Sequence, residues 1–208
     1  DALPILKDLA EELGVSVSTV SRALKDSPEV GEEMRERVKK LAGEWNYRPN
    51  PFAISLLKNN PRIIGIIVPD IVTHFYSSII SGISDVARKN HYSVIITSSY
   101  EQYELEKQCV EDLMNIRVEG IIACISQETT DYAHFESLIM QRVPLVFFDR
   151  VCLHGRCSCV VADNAESGKA ATEHFLHHGA KRIGFIGGAN HLDIVKQRKH
   201  GYLDALRQ

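Results

Sequence analysis

Apolar positions along this chain change their spacing once, and the change divides it into two differently built parts. Over the first 48 residues they recur at helical intervals. Leu9, Ala10 and Leu13 share one face of a first segment, Val20, Ala23 and Leu24 one face of a second. Val38, Leu41, Ala42 and Trp45 share one face of a third, from about Glu32 to Trp45. Together they predict a small three-helix core, near the lower size limit for independent folding. Gly14 supplies the backbone freedom to leave the first helix sharply. Ser16 is placed to cap the second, its hydroxyl accepting from amides two or three residues on. The outer side of that second helix carries Val17, Ser18, Ser21 and Arg22. Short polar side chains with an Arg one turn later suit a helix pushed into the DNA major groove.

From Arg62 onward strand-like apolar runs alternate with helical periods. RIIGIIV (62–68) is continuous, as expected of a strand buried on both faces. Further strands are predicted at 92–99, 119–125, 144–149, 159–162 and 182–188. Helices are predicted at 75–90, 101–116, 132–141, 165–178 and 195–206. Repeated βαβ units of this kind specify a parallel sheet covered by helices on both faces. Ligands of such sheets bind beyond the strand C-termini. Polar residues gather there: Asp70 to Tyr76, Ser98 to Tyr100, Ser126, Asp149-Arg150 and Asp163-Asn164.

Between the two parts, Pro49 and Pro51 stop the third helix. Asn50 can cap a following turn, so Phe52 to Leu57 can form a short helix, below the length that persists alone in water. Such a helix exists only when something holds it. The expected organisation is therefore a helix-turn-helix domain (1–48), a hinge or linker (49–61), a first α/β lobe (62–163) and the start of a second lobe (164–208).

Charge gives a DNA hypothesis no bulk support. The net charge is −3, and residues 1–60 hold nine Lys/Arg against ten Asp/Glu. Any DNA-facing surface must then be a local arrangement, with Lys7, Arg22, Lys25, Arg35 and Arg48 nearer the phosphates than Glu11, Glu12, Glu32 and Glu33. Five cysteines, an odd count with no leader before them, are expected to be reduced. The run CLHGRCSC (Cys152, Cys157 and Cys159, with His154) matches no CxxC pair and is read as surface thiols in a loop, not as a metal site. There is no long apolar run to span a membrane and no signal peptide, so a cytoplasmic protein is expected. GxGxxG, GxxxxGK[ST], GxSxG and a Ser-His-Asp order are all lacking, so no enzyme and no cofactor are expected.

The combination of GVSVSTVSRAL, NYRPNPFAISLL and a sheet opening with IIGIIVPD resembles the LacI/GalR family of bacterial transcription repressors. FFDR at the end of the 144–149 strand and RxxGY at Arg198 to Tyr202 add to the likeness. The resemblance implies a small all-α helix-turn-helix domain followed by an α/β doubly wound parallel sheet, periplasmic-binding-protein-like and incomplete. It also implies double-stranded DNA with a near-palindromic operator, a homodimer, and a small-molecule effector, most often a sugar or nucleobase. Base contacts fall on Val17, Ser18 and Arg22, with Leu56 as a minor-groove wedge. Backbone contacts fall on Ser16, Thr19, Ser21, Asn50 and Ala53. Effector positions fall on Phe75, Tyr76, Asp149 and Arg198. A carboxylate and a guanidinium facing one cleft beside an aromatic ring suit bidentate bonding to hydroxyls with ring stacking. The other reading is a solute- or sugar-binding protein without DNA-linked regulation. It would need export, and no leader is present.

The sequence departs from the family at Ile5, where a hydroxyl usually caps the first helix, at Lys25 in place of Asn, and at Gly31 in place of a Ser cap. The family also continues for well over a hundred residues more, so a chain ending at Gln208 reads as a fragment. In the full-length protein, Leu56→Ala is expected to weaken specific duplex binding by about 1–3 kcal/mol. A fluorescence-anisotropy titration returning unchanged affinity would remove the wedge role.

Overall fold

The structure is a computed structural model and describes residues 4–48 and 61–207. It forms two units, Asp1–Pro61 and Arg62–Gln208. The proposed hinge helix, with Asn50, Ala53 and Leu56, lies outside the described residues.

In the first unit three helices bury the predicted faces. Helix α1 (Leu6–Leu13) ends at Gly14, whose φ of 66° is the left-handed value that lets the chain turn without a Cβ clash. Helix α2 (Val17–Ala23) starts at Ser16, whose Oγ accepts from Thr19 N–H at 3.1 Å. Helix α3 (Glu32–Glu44) starts at Gly31, with no side-chain cap. Ile5 likewise offers no capping atom, but the Asp8 carboxylate compensates by accepting from Ile5 N–H at 2.8 Å. Leu9, Ala10, Val20, Ala23, Val30, Val38 and Ala42 are buried, with Leu24, Leu41 and Trp45 packed around them.

The second unit is built on a parallel sheet of order β2-β1-β3-β4-β5. Its strands are β1 (Ile63–Val68), β2 (Ser93–Ser98), β3 (Gly120–Ala123), β4 (Leu145–Phe148) and β5 (Ser158–Val160). The helices between them are α4 (His74–Lys89), α5 (Tyr103–Ile116) and α6 (Ala133–Met140), followed by α7 (Asn164–His177) and α8 (Asp193–Leu206). Alternate residues of β1 serve opposite layers. Ile63 and Ile67 join Leu113, Phe135, Leu138 and Phe147 in the larger core. Ile66 and Val68 join Tyr76, Cys124 and Phe148, with Ile79 and Ile83 of α4 over them. The order 2-1-3 reverses direction beside β1, and that reversal opens a crevice at the strand C-termini.

Beneath the strand ends lies a fully buried carboxylate. Glu106 on α5 accepts from Ser126 N–H at 2.5 Å, Thr129 Oγ1 at 2.8 Å and His134 Nε2 at 2.9 Å. Three donors replace the water it lost.

Two sequence expectations need correction. Residues 182–188 are not a strand. No other described strand lies beside them, so their backbone has no ladder to join. The segment is instead held by α8: Tyr202 donates to Ile183 O at 2.8 Å and stacks on Phe185 at 5.3 Å. Ile186 is left fully exposed. The cysteine loop is not simply a display of surface thiols either. Cys159 is exposed, Cys157 half-buried, and Cys152 belongs to the larger core. Burial pushes the Cys152 thiol well above its ordinary range.

Helices α7 and α8 meet with almost no space between their backbones. A Cβ on Gly201 would sit 1.9 Å from Ala165 O, and one on Gly168 would sit 2.3 Å from Arg198 O. Gly201→Ala is therefore expected to destabilise by about 1–3 kcal/mol or to push the helices apart. Urea unfolding checks this; an unchanged midpoint would mean the helices separate freely.

Candidate functional site

Two surfaces carry the sequence-predicted residues, one in each unit. On α2, Val17, Ser18 and Arg22 are exposed, Thr19 and Ser21 half-buried. Ser21 thus turns further inward than its helical position predicts. Ser16 Oγ lies 2.7 Å from Ser18 Oγ and 2.8 Å from Thr19 Oγ1, a cluster of hydroxyls at the helix start. Arg22 Nη1 lies 3.2 Å from Glu29 Oε2 in the loop that follows. The apolar Val17, the hydroxyls and one guanidinium can reach, respectively, a thymine methyl, phosphate oxygens and a guanine edge.

In the second unit a cleft of about 770 Å³ opens above the strand ends. Its walls bring together all four sequence-predicted effector positions, Phe75, Tyr76, Asp149 and Arg198. The two aromatics differ in role. Phe75, at the start of α4, leaves nearly half of its surface exposed to the cleft. Tyr76 is buried, its ring edge-on to both Phe75 and Phe148 and its hydroxyl 3.7 Å from Cys124 Sγ. Tyr76 is therefore core first and cleft wall second. Burial raises its hydroxyl and pushes the Cys124 thiol up to about 12, so both stay protonated.

Asp149 follows β4 in the left-handed region, φ 57°, and is half-buried. Burial raises its carboxyl above the ordinary carboxylate value, and the Arg150 and Arg198 charges only partly offset this. Arg198 is oriented by Asn164 at the start of α7, with Nε donating to Oδ1 at 2.9 Å.

The sequence reading assigned no role to the clasp at the cleft lip. Arg150 Nη1 donates to Glu101 Oε2 at 2.7 Å, and the same carboxylate accepts from Gln127 N–H at 2.6 Å. Exits of β2, β3 and β4 are thereby tied to one carboxylate. Burial is the largest single influence on Arg150 and opposes its charge, but the Glu101 hydrogen bond and charge, with the neighbouring Tyr76 and Cys124, together outweigh it and hold the guanidinium above its ordinary value. Tyr100 and Glu101 are also left-handed, at φ 50° and 63°. With Asp149, they place three non-Gly residues in the left-handed region around one cleft, and for Tyr100 and Glu101 that conformation is costly, a kind of strain that commonly marks function. Arg150 is visible in FFDR; Glu101 carries no local signal that names its partner.

Both units match models of known families. Residues 5–50 match the bacterial regulatory proteins of the lacI family, and residues 62–208 match the periplasmic binding proteins and sugar binding domain of the LacI family. The chain belongs to the LacI family. Among LacI-family relatives, it is 34% identical over 207 residues to the HTH-type transcriptional regulator MalR of Streptococcus pneumoniae serotype 4, covering 97% of this chain and 62% of that protein. It is 36% identical over 203 residues to the ribose operon repressor of Bacillus subtilis strain 168, covering 98% and 60%. Its fold matches the Lac repressor dimer bound to operator and the anti-inducer ONPF, with a TM-score of 0.76, 25% identity, and coverage of 99% of this chain and 62% of that one. The chain thus spans about three-fifths of these LacI-family proteins.

Among the described residues no helix is long and apolar enough to cross a membrane, and no group of three or more His, Cys, Asp or Glu is placed to hold a metal ion.

The raised Asp149 carboxyl has a thermodynamic consequence. A folded-state pKa above the unfolded one means the native state keeps a proton that the unfolded chain has lost. Stability then falls as pH rises from the ordinary carboxylate value through the raised one. Asn does not titrate and tolerates the left-handed region. Asp149→Asn is therefore expected to gain stability relative to wild type as pH rises from about 4 to 7. Urea unfolding across that range tests the sign; an advantage that shrinks with pH would contradict it.

Proposed function

We propose that this chain is the operator-reading and effector-sensing portion of a cytoplasmic transcriptional repressor. The carrying observation is the convergence of Phe75, Asp149 and Arg198 on one strand-end cleft, in a chain that also folds a capped, polar-faced second helix. Helix α2 reads the site: Arg22 bonds a guanine edge, Val17 and Ser18 set neighbouring base preference, and Ser16, Thr19 and Ser21 hold phosphates. Two copies bind as a homodimer on a near-palindromic duplex, the arrangement that the Lac repressor dimer on its operator makes natural.

The effector is a sugar. A carboxylate and a guanidinium with an exposed aromatic ring match vicinal hydroxyls on a ring with one apolar face. The family model that covers this unit names a sugar binding domain, and one relative is a ribose operon repressor. Asp149 accepts from sugar hydroxyls, Arg198 donates to them from the orientation Asn164 gives it, and Phe75 stacks on the ring. Switching runs through the linker. Asn50, Ala53 and Leu56 of that linker lie outside the described residues, and an effector that alters the sensor shifts the population competent to bind the operator.

Selection from random duplexes with the full-length protein tests this reading. The expected winners are near-palindromes with a central flexible pyrimidine–purine step, where an apolar wedge kinks DNA most cheaply. Recovery of no sequence, or only of asymmetric ones, would refute it.

A further inference from the structure

Arg22 is the one long cation on the exposed face of α2, and in the free protein it is already engaged. Its Nη1 lies 3.2 Å from Glu29 Oε2, although both side chains are largely exposed. Glu29 is not a loosely placed partner. The loop that carries it is fastened to Arg22's own backbone: Lys25 N–H and Ser27 N–H both donate to Arg22 O, at 3.1 and 3.0 Å. Val30 N–H donates to Ser27 O at 3.2 Å, and the Val30 side chain is buried in the three-helix core. Glu29 N–H also reaches Ser27 Oγ at 3.4 Å. A carboxylate is thus delivered to the base-reading guanidinium by a loop that the core itself positions.

We infer that Glu29 is an affinity-setting residue, an internal carboxylate that competes with DNA for Arg22. This rests on α2 being the DNA-reading helix. A carboxylate and a guanine O6/N7 edge offer the guanidinium similar pairs of acceptors. Binding is then an exchange of one partner for the other. The exchange is cheap, because exposed ion pairs contribute little. It nevertheless has two effects. Arg22 arrives already neutralised, so its engagement releases no net counterion. When Arg22 leaves for the base, Glu29 is set free as an unpaired anion close to the phosphates. The carboxylate therefore lowers affinity and flattens its salt dependence.

The test is a double-mutant cycle in the full-length protein with Glu29→Gln, Arg22→Ala and both together. Each variant is titrated over a range of salt concentrations against the duplex recovered by random selection and against a short mixed-sequence duplex. Glu29→Gln is expected to raise affinity about three- to tenfold at low salt and to steepen the log–log salt slope by roughly one. In the Arg22→Ala background that gain should shrink, because only the repulsion between Glu29 and the phosphates is left to relieve. An unchanged affinity and slope would overturn the inference. An equal gain with and without Arg22 would overturn it too, reducing Glu29 to a bulk charge. If selection yields no symmetric site, the functional reading fails on its own account, and the mixed-sequence titrations still decide the exchange.

Discussion

A strand in the middle of a parallel sheet is buried on both faces and must find hydrogen-bonding neighbours on both sides, and the second unit is organised by that demand. β1 satisfies it with an unbroken apolar run, and Gly65 lets Leu113 of α5 approach where any Cβ would lie 2.6 Å from its methyl. With β1 fixed between β2 and β3, the helices must cover opposite faces, and the chain must reverse its direction of growth beside it. That reversal opens the crevice. The polar chemistry of this unit gathers at the strand exits because that is where the backbone leaves the ladder and side chains are released from the apolar layers.

At those exits the protein uses cheap contacts to fix expensive geometry. Glu101 ties three strand ends together through Arg150 and Gln127, and Asn164 aims Arg198. Asp149 keeps a carboxyl in a place that burial makes unfavourable. A group held at such a disadvantage does little to stabilise the fold, which is consistent with the proposed role of receiving a ligand's hydroxyls.

The three helices of the first unit and the first four strands of the second were legible because their signals are local: apolar period, a capping Ser16, a turning Gly14. The convergence of Phe75, Asp149 and Arg198 was legible only through strand ends and the family resemblance, since 123 residues of numbering separate the first from the last. Residues 182–188 misled because RIGFIGG has the composition of a strand, whereas a strand is a relation between two segments. Cys152 misled because the burial of a loop residue depends on what the loop folds back upon. The Glu101–Arg150 clasp was invisible for the same kind of reason. Its partners are 49 apart in sequence and are joined only by sheet geometry.

The left-handed backbone at Asp149 also bears on how this cleft can change over evolutionary time. Only Gly, Asn and Asp occupy that conformation at little cost, and β-branched or bulky residues do so badly. If Asp149 holds the effector as proposed, a shift in ligand preference has few routes through position 149 itself. Phe75 and the Gly188-Ala189 wall carry no such backbone restriction, and they form the part of the cleft that is free to drift. On the proposed effector reading, diversification of ligand shape should accumulate there, while the carboxyl at the end of β4 stays put.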